Sequence, residues 1–400
     1  MTEQDLKNLA CELSALSVFR GICEKKPIAA LLNFLTCEGS AQKRIGAFGE
    51  FVYSLAADGY CFSDFLCHTV YEDENSYVIG TAQKQSLPAV LTANAEAELT
   101  LFSRLTELNA DALCESIGYH GYIPQFDNHP TDLVAAYKQR LAEIGRYGYG
   151  IFASAKMFRV AGEEIVPVKA ADEISLDRFV GYEEERQKVF DNTRALVEGK
   201  PAANVLLFGD AGTGKSSTVK ACANYFFDRG VRLIELRKDQ LFSLSAIMGH
   251  IADNPLKFII FIDDLSFNKN DDCFSMLKAA LEGSASAKAK NAVIYATSNR
   301  RHIVKETFSD RATSDDIHHN DTVQELMSLS DRFGLTVYFE KPNKLLYLDI
   351  VHRLAEKNSL MLERTQLDIQ AEAFALSKGS RSPRAAEQFI NSLIQKGQAT

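Results

Sequence analysis

Residues 209–216 of this 400-residue chain read Gly209-Asp210-Ala211-Gly212-Thr213-Gly214-Lys215-Ser216, a complete G-x-x-x-x-G-K-[ST] string. Such a loop needs a strand on one side and a helix on the other. The glycines let successive backbone N–H groups turn inward around phosphate oxygens without side-chain clashes. The helix that follows presents its positive N-terminal dipole to the anion. The flanks agree: an apolar run at 204–208 precedes the loop and a helical pattern at 216–227 follows. With ordinary residue frequencies, about 0.01 chance matches are expected in a chain this long. The pattern assigns Lys215 to the β- and γ-phosphates, the Ser216 hydroxyl to Mg²⁺, and Ser217 to the same phosphate-binding turn.

A second apolar run points to the same chemistry. Residues 258–264 read Phe-Ile-Ile-Phe-Ile-Asp-Asp, a buried strand ending in two carboxylates. Neighbouring strand residues face opposite sides, so Asp263 and Asp264 are expected to do different work. Asp263 suits the outer shell of Mg²⁺, and Asp264 then orients an attacking water. Further short runs at 205–208, 232–236, 292–297 and 335–339 alternate with helical segments, which predicts a parallel sheet covered by helices. After Pro342 the strands stop, and three helices are expected near 343–357, 366–377 and 383–396, the last with Ser382 as N-cap and Pro383 in its first position.

The first 150 residues or so look helical. Leu6, Leu9, Leu13 and Leu16 follow Thr2, a plausible cap; Leu101, Leu105 and Leu108 form a second stripe; Leu133, Tyr137, Leu141 and Ile144 form a third. All three are expected to be core. Runs at 158–160 and 165–168 suggest a small hairpin, and polar residues 169–175 a domain boundary. Residues 283–290 read as a solvated loop. The expected organisation is a mostly helical N-terminal domain over 1–170, an α/β nucleotide-binding domain over 171–341, and a helical lid over 342–400.

Hydrophobic residues make up 46% and charged residues 24% of the chain, as in ordinary soluble domains. A formal charge of −9 argues against a surface that coats nucleic acid throughout. The 8 cysteines form no Cys-x-x-Cys pair and fit a reduced compartment better than a disulfide frame or zinc site. Residues 1–16 do not resemble a signal peptide, and the apolar stretch 27–37 is too short to span a bilayer. A cytoplasmic protein without a membrane partner is expected.

Residues 172–395 resemble AAA+ ATPases. The string as a whole looks most like an uncharacterised bacterial family of predicted AAA+ ATPases with a helical N-terminal region. Residues 174–182 (ISLDRFVGY) resemble the segment that packs on adenine, with Val180 and Gly181 at its centre. Residues 209–216 match the Walker A loop and 258–264 the Walker B strand. Tyr295-Ala296-Thr297-Ser298-Asn299 is similar to a sensor 1 strand, which implies Asn299 near the γ-phosphate and attacking water. Leu329-Ser330-Asp331-Arg332-Phe333-Gly334 resembles the arginine-finger box of replication initiators. Residues 380–389 (SRSPRAAEQF) resemble a sensor 2 helix with Arg384 as its arginine and Arg381 as a rival.

The resemblance implies a P-loop α/β fold binding ATP and Mg²⁺, hydrolysing ATP to ADP and phosphate, and remodelling an unidentified protein or nucleic-acid client. It implies a homo-oligomer, with a hexamer among the options, in which Arg332 reaches ATP on a neighbouring subunit. An ATP-dependent adaptor or switch with little hydrolysis is the alternative. A phosphoryl-transfer kinase fits less well with the Arg332 box and the three-helix end. Three departures stand out. Asp264 replaces the glutamate of many relatives; Phe242 and Gly249 are too far apart for a substrate-threading signature; and no initiator-like DNA-binding domain is expected after the last helix. Elsewhere, His318-His319 among Asp315, Asp316 and Asp321 fits no common zinc spacing, Arg300-Arg301-His302 reads as a solvated turn, and Cys67-His68 is no evidence for a thiol catalytic pair.

Overall fold

The computed structural model describes residues 1–162, 164–168, 173–265, 276–278, 280–281, 289–299, 332–360 and 362–395. The residues expected to form the solvated loop at 283–288, the Arg300-Arg301-His302 turn and the His318-His319 cluster lie outside them, as does Asp331 of the arginine box. The chain divides into two compact units, Met1–Ser154 and Ala155–Thr400.

The first unit is helical. Its principal helices are α1 (Glu3–Ser14), α2 (Lys26–Thr36), α3 (Ala41–Ser54), α4 (Phe62–Glu72), α5 (Ser76–Ala82), α6 (Ala89–Leu105), α7 (Ala110–Cys114), α8 (Leu133–Ala142) and α9 (Ile144–Tyr147). Thr2 and Asp5 close a reciprocal capping box at the start of α1, supplying partners to N–H groups the helix cannot satisfy itself. Behind that cap Leu6, Leu9 and Leu13 are buried on one face. Aromatic rings fill the middle: Phe51 meets Phe62 and Phe126 edge-on at 5.3 and 5.5 Å. Each buried phenylalanine contributes about 1.5–3 kcal/mol from removal of its surface from water. The Glu98 carboxylate is buried and accepts the backbone N–H groups of Ser17, Val18 and Phe19, fixing the turn after α1.

The second unit is a seven-stranded sheet with helices around it. Its strands are β1 (Met157–Ala161), β2 (Glu164–Pro167), β3 (Val205–Gly209), β4 (Val231–Leu236), β5 (Lys257–Ile262), β6 (Ala292–Ser298) and β7 (Leu335–Phe339), in the order β2-β1-β4-β5-β6-β3-β7. Only the β1–β2 pair is antiparallel. Helices α10 (Glu183–Val197), α11 (Lys215–Tyr225) and α12 (Leu244–Ile251) come between the strands, and α13 (Lys344–Lys357), α14 (Arg364–Ser377) and α15 (Pro383–Gln395) follow the last strand. The central strands are apolar on both sides because both faces are covered. Ile259, Ile260, Phe261 and Ile262 are all 0% exposed.

The hairpin corrects the expected domain boundary at 170. Met157, Phe158 and Arg159 pair in parallel with Leu233, Ile234 and Glu235. β1 therefore extends the second unit's ladder, and the division falls at Ser154–Ala155 instead. A short hairpin read along the sequence carries no sign of which sheet its free edge joins.

Strand order places the loop at a reversal. β4, β5 and β6 lie on one side of β3, and β7 lies on the other. Ligands of open parallel sheets bind beyond the carboxyl ends of strands at such a point.

Candidate functional site

β3 ends at Gly209, whose φ of +129° only glycine adopts readily. A Cβ there would lie 2.1 Å from the Phe339 carbonyl oxygen, so the close approach of β7 also demands glycine. Asp210 N donates to the same carbonyl at 3.2 Å. Gly212 and Gly214 have φ of +76° and +94°, curling the chain before α11 starts at Lys215. Alternating hands of backbone of this kind turn N–H groups into one concavity, which the α11 dipole reinforces.

Lys215 is only 5% exposed. Its Nζ donates to the carbonyls of Gly209 at 3.0 Å and Asp210 at 2.7 Å, folding the side chain back over the loop. Burial pulls its pKa down to about 8, while the carboxylates of Asp210, Asp263 and Asp264 pull the other way.

The acid pair is built differently from the expectation. β5 ends at Ile262, so both aspartates lie beyond the strand and its face alternation does not separate them. Asp263 Oδ1 accepts from Ser216 Oγ at 2.6 Å, from Thr297 Oγ1 at 2.6 Å and from Asp264 N at 3.1 Å. Asp264 has φ of +52°, a left-handed conformation that costs an aspartate about 1–2 kcal/mol. Its N–H is held in that conformation by Thr297 Oγ1 at 2.9 Å. The turn swings the Asp264 carboxylate toward Asn299, whose Nδ2 donates to Oδ1 at 2.8 Å. A backbone reversal, not strand pleat, thus gives the two acids different neighbours.

Ser216 and Asp263 fit a hydrated Mg²⁺: a hydroxyl and a carboxylate converge within hydrogen-bonding distance, next to a loop shaped for phosphate. Asp264, Asn299 and Thr297 stand beside them.

A cleft of about 270 Å³ opens along the loop, lined by Gly212, Thr213, Gly214 and Ser217 on the phosphate side. Ile174, Phe179, Val180, Ile350 and Leu354 contribute its apolar part, Arg186 adds a cation, and Pro383, Arg384 and Glu387 line it from α15. Val180 lines the cleft; Gly181 is not among its lining residues and stands behind, its φ of +77° bringing it against Ile350. The start of α15 rests on the loop: Arg384 N donates to the Gly212 carbonyl at 3.3 Å, and Ser382 Oγ caps Ala385 N at 3.2 Å. The two candidate lid arginines separate here. Arg384 lines the cleft, whereas Arg381 makes a two-pronged contact with Glu372 at 3.0 and 2.7 Å.

Arg332 stands apart. It precedes β7, and Leu335 pairs with Val205 at the start of β3, the far end from the loop. β7 spans Leu335–Phe339, so the strand alone sets Leu335 about 13 Å from the level of Gly209, and Arg332 precedes that end. Thr297 and Arg186 were not singled out from sequence. Thr297 sits inside an apolar strand where its hydroxyl has no distinctive spacing, and Arg186 follows three glutamates that read as a solvated helix face.

A parallel sheet with its phosphate loop after β3, an acid pair after β5, a polar residue at the end of β6 and three helices after β7 defines a P-loop nucleotide-binding fold of the AAA+ type. Residues 153–397 match the family described as "Protein of unknown function (DUF815)", and the chain belongs to that family. No curated protein matches it. Similar solved structures include the Thermotoga maritima RuvB Holliday junction branch migration motor, at 14% identity and a TM-score of 0.33, covering 55% of this chain and 72% of that one. Another is the replication initiator DnaA bound to AMPPCP and single-stranded DNA, at 16% identity and a TM-score of 0.40, covering 56% and 66%. Among the described residues no helix is long and apolar enough to cross a membrane.

Proposed function

We propose that this chain hydrolyses ATP to ADP and phosphate with Mg²⁺ as cofactor. The observation that carries the reading is the junction at which Ser216, Asp263, Thr297, Asp264 and Asn299 meet beside Lys215 through contacts of 2.6–2.9 Å. In this reading the loop amides and Lys215 hold the β- and γ-phosphates. Ser216 and Asp263 hold the metal ion, which when bound neutralises charge on the phosphate oxygens. Asp264 orients a water for in-line attack and receives its proton, while Asn299 fixes the carboxylate that does so. Catalysis rests on placement and charge, the usual case for phosphoryl transfer.

Arg332 is too far along the sheet to serve its own loop, which supports a role toward ATP on a neighbouring copy of the chain. Such an arginine is worth about 10³–10⁵ in rate where it acts in trans. The active species in this reading is a homo-oligomer in a reducing, cytoplasmic compartment, and α13–α15 carry the nucleotide state to a protein or nucleic-acid client through Arg384.

Asp264→Asn tests the chemistry with little change in shape. Calorimetry with Mg-ATP should give an affinity close to wild type, and phosphate release should fall at least tenfold. Lys215→Ala should abolish binding. Wild-type turnover from the Asp264→Asn chain would reject the assignment. One observation favours a slower alternative, an ATP-operated switch: the short Asp264 side chain already has one oxygen occupied by Asn299. Tight ATP binding with no phosphate release by the wild-type chain would establish it.

A further inference from the structure

The cleft contains a cation that phosphate chemistry does not use. Arg186, on the first turn of α10, is 8% exposed, yet it lines the cleft. Its guanidinium lies over the Phe179 ring at 5.2 Å from the centroid. Burial lowers its pKa from the ordinary arginine value, with Glu183 and Glu185 opposing. The neighbouring carboxylate of Glu183 has other duties, accepting Gly181 N at 3.1 Å and Arg353 at 3.2 Å. A guanidinium removed from water this far costs stability unless its five donors are used. It carries donors only, so what it can take from the cleft is an acceptor.

Position decides which acceptor. The cleft's lining joins the phosphate loop, Gly212–Gly214 with Ser217, to Ile174, Phe179 and Val180 of the segment before α10, and Arg186 lies against Phe179 of that segment. Apolar walls beside a guanidinium plane suit a heterocycle with ring-nitrogen acceptors at its edge. We infer that Arg186 is the base-recognition residue of this cleft, donating to a ring nitrogen of the purine while Phe179 backs its guanidinium. This rests on the nucleotide reading above and adds the group that distinguishes a nucleotide from a bare phosphate chain.

The test is calorimetry on the full chain with two probes, Mg-ATP and Mg-tripolyphosphate, together with the melting temperature of the ligand-free protein. Arg186→Met keeps the buried stem and removes the donors. ATP affinity should fall about 10- to 100-fold, the loss for a charged hydrogen bond. Tripolyphosphate affinity should stay at the wild-type value, and the melting temperature should hold or rise because a buried charge is gone. Unchanged ATP affinity overturns the inference. So does an equal loss for both probes with a lower melting temperature, since that describes a structural arginine. If the methionine chain does not fold, Arg186→Lys keeps the charge without the planar fork: weaker ATP binding at unchanged tripolyphosphate binding supports base recognition, and wild-type affinity for both overturns it. A wild-type chain that binds tripolyphosphate no better than Lys215→Ala fails one step earlier, at the phosphate loop, and takes this inference with it.

Discussion

The depressed pKa of Lys215 makes ATP binding depend on pH in a range where an ordinary lysine would not. Without ligand the ammonium is buried against two carbonyls and has a pKa of about 8 in place of 10.5. A triphosphate brings several negative charges to the same place, which restores the charged form and raises the pKa again. Binding therefore draws in a proton wherever the free chain is partly neutral. From the pKa of about 8, about one Lys215 in eleven is neutral at pH 7, one in two at pH 8 and ten in eleven at pH 9. Affinity is full below about pH 8 and is lost as the pH rises, by about tenfold between pH 7 and 9. Titrations in buffers of different ionisation enthalpy should show uptake of about half a proton at pH 8. The phosphate's own ionisation, with a second pKa of about 6, is about ten-elevenths complete at pH 7 and changes little above it. Stability of the ligand-free chain should move the opposite way. The unfolded lysine binds a proton that the folded one does not between about 8 and 10.5, so stability gains with pH across that window. ATP affinity that is flat from pH 7 to 9, with no proton uptake at pH 8, would refute the argument.

Two further outcomes follow from the geometry. Arg332→Ala should leave ATP affinity intact and slow turnover at least tenfold, with wild-type turnover that rises with protein concentration; an unaffected rate in a phosphate-release assay removes Arg332 from the reaction. Gly209→Ala should cost at least about 3 kcal/mol, because the added carbon meets the Phe339 carbonyl at 2.1 Å and β3 and β7 must part. A denaturation midpoint equal to wild type would show that the strands yield more easily than packed backbone should.

The sheet was legible because its signals are dense. Five apolar runs of four to six residues, each followed by a helical pattern, allow little besides a parallel sheet, and the structure places all five strands within a residue or two of their expected limits. The three helices after β7 were legible for the same reason, helped by the Ser382–Pro383 start. What remained hidden is whatever depends on a partner distant in sequence. The hairpin gave its strands but not its attachment to β4. The left-handed turn at Asp264 was invisible, since aspartate tolerates it without advertising it. Thr297 gains its role only because β6 lies beside β5, which brings its hydroxyl to both aspartates. Arg186 looked like part of a charged helix surface because the Phe179 ring that it packs on lies outside its helix, where the pattern of α10 does not show it.

The helices after β7 are tied to one another more firmly than to the loop. Arg381 grips Glu372 at the base of α15, and His352 of α13 meets Asp368 of α14 at 2.5 Å. Phe374 and Phe389 pack with ring centroids 5.6 Å apart between α14 and α15. The loop itself is met by the 3.3 Å bond from Arg384 N to Gly212 O, while α13 is also tied to Asp177 O through Lys357 Nζ at 2.8 Å and to Glu183 through Arg353 at 3.2 Å. Packed helices with interlocked side chains shift as units and do not deform gradually. A displacement of Gly212 is expected to pass to α15 through Arg384, and from α15 to α14 and α13. Ile350 and Leu354 on α13 line the same cleft as Arg186, so a displacement of α13 is expected to change the width of that cleft. In the proposed reading, phosphate contact and base contact would be coupled through these helices.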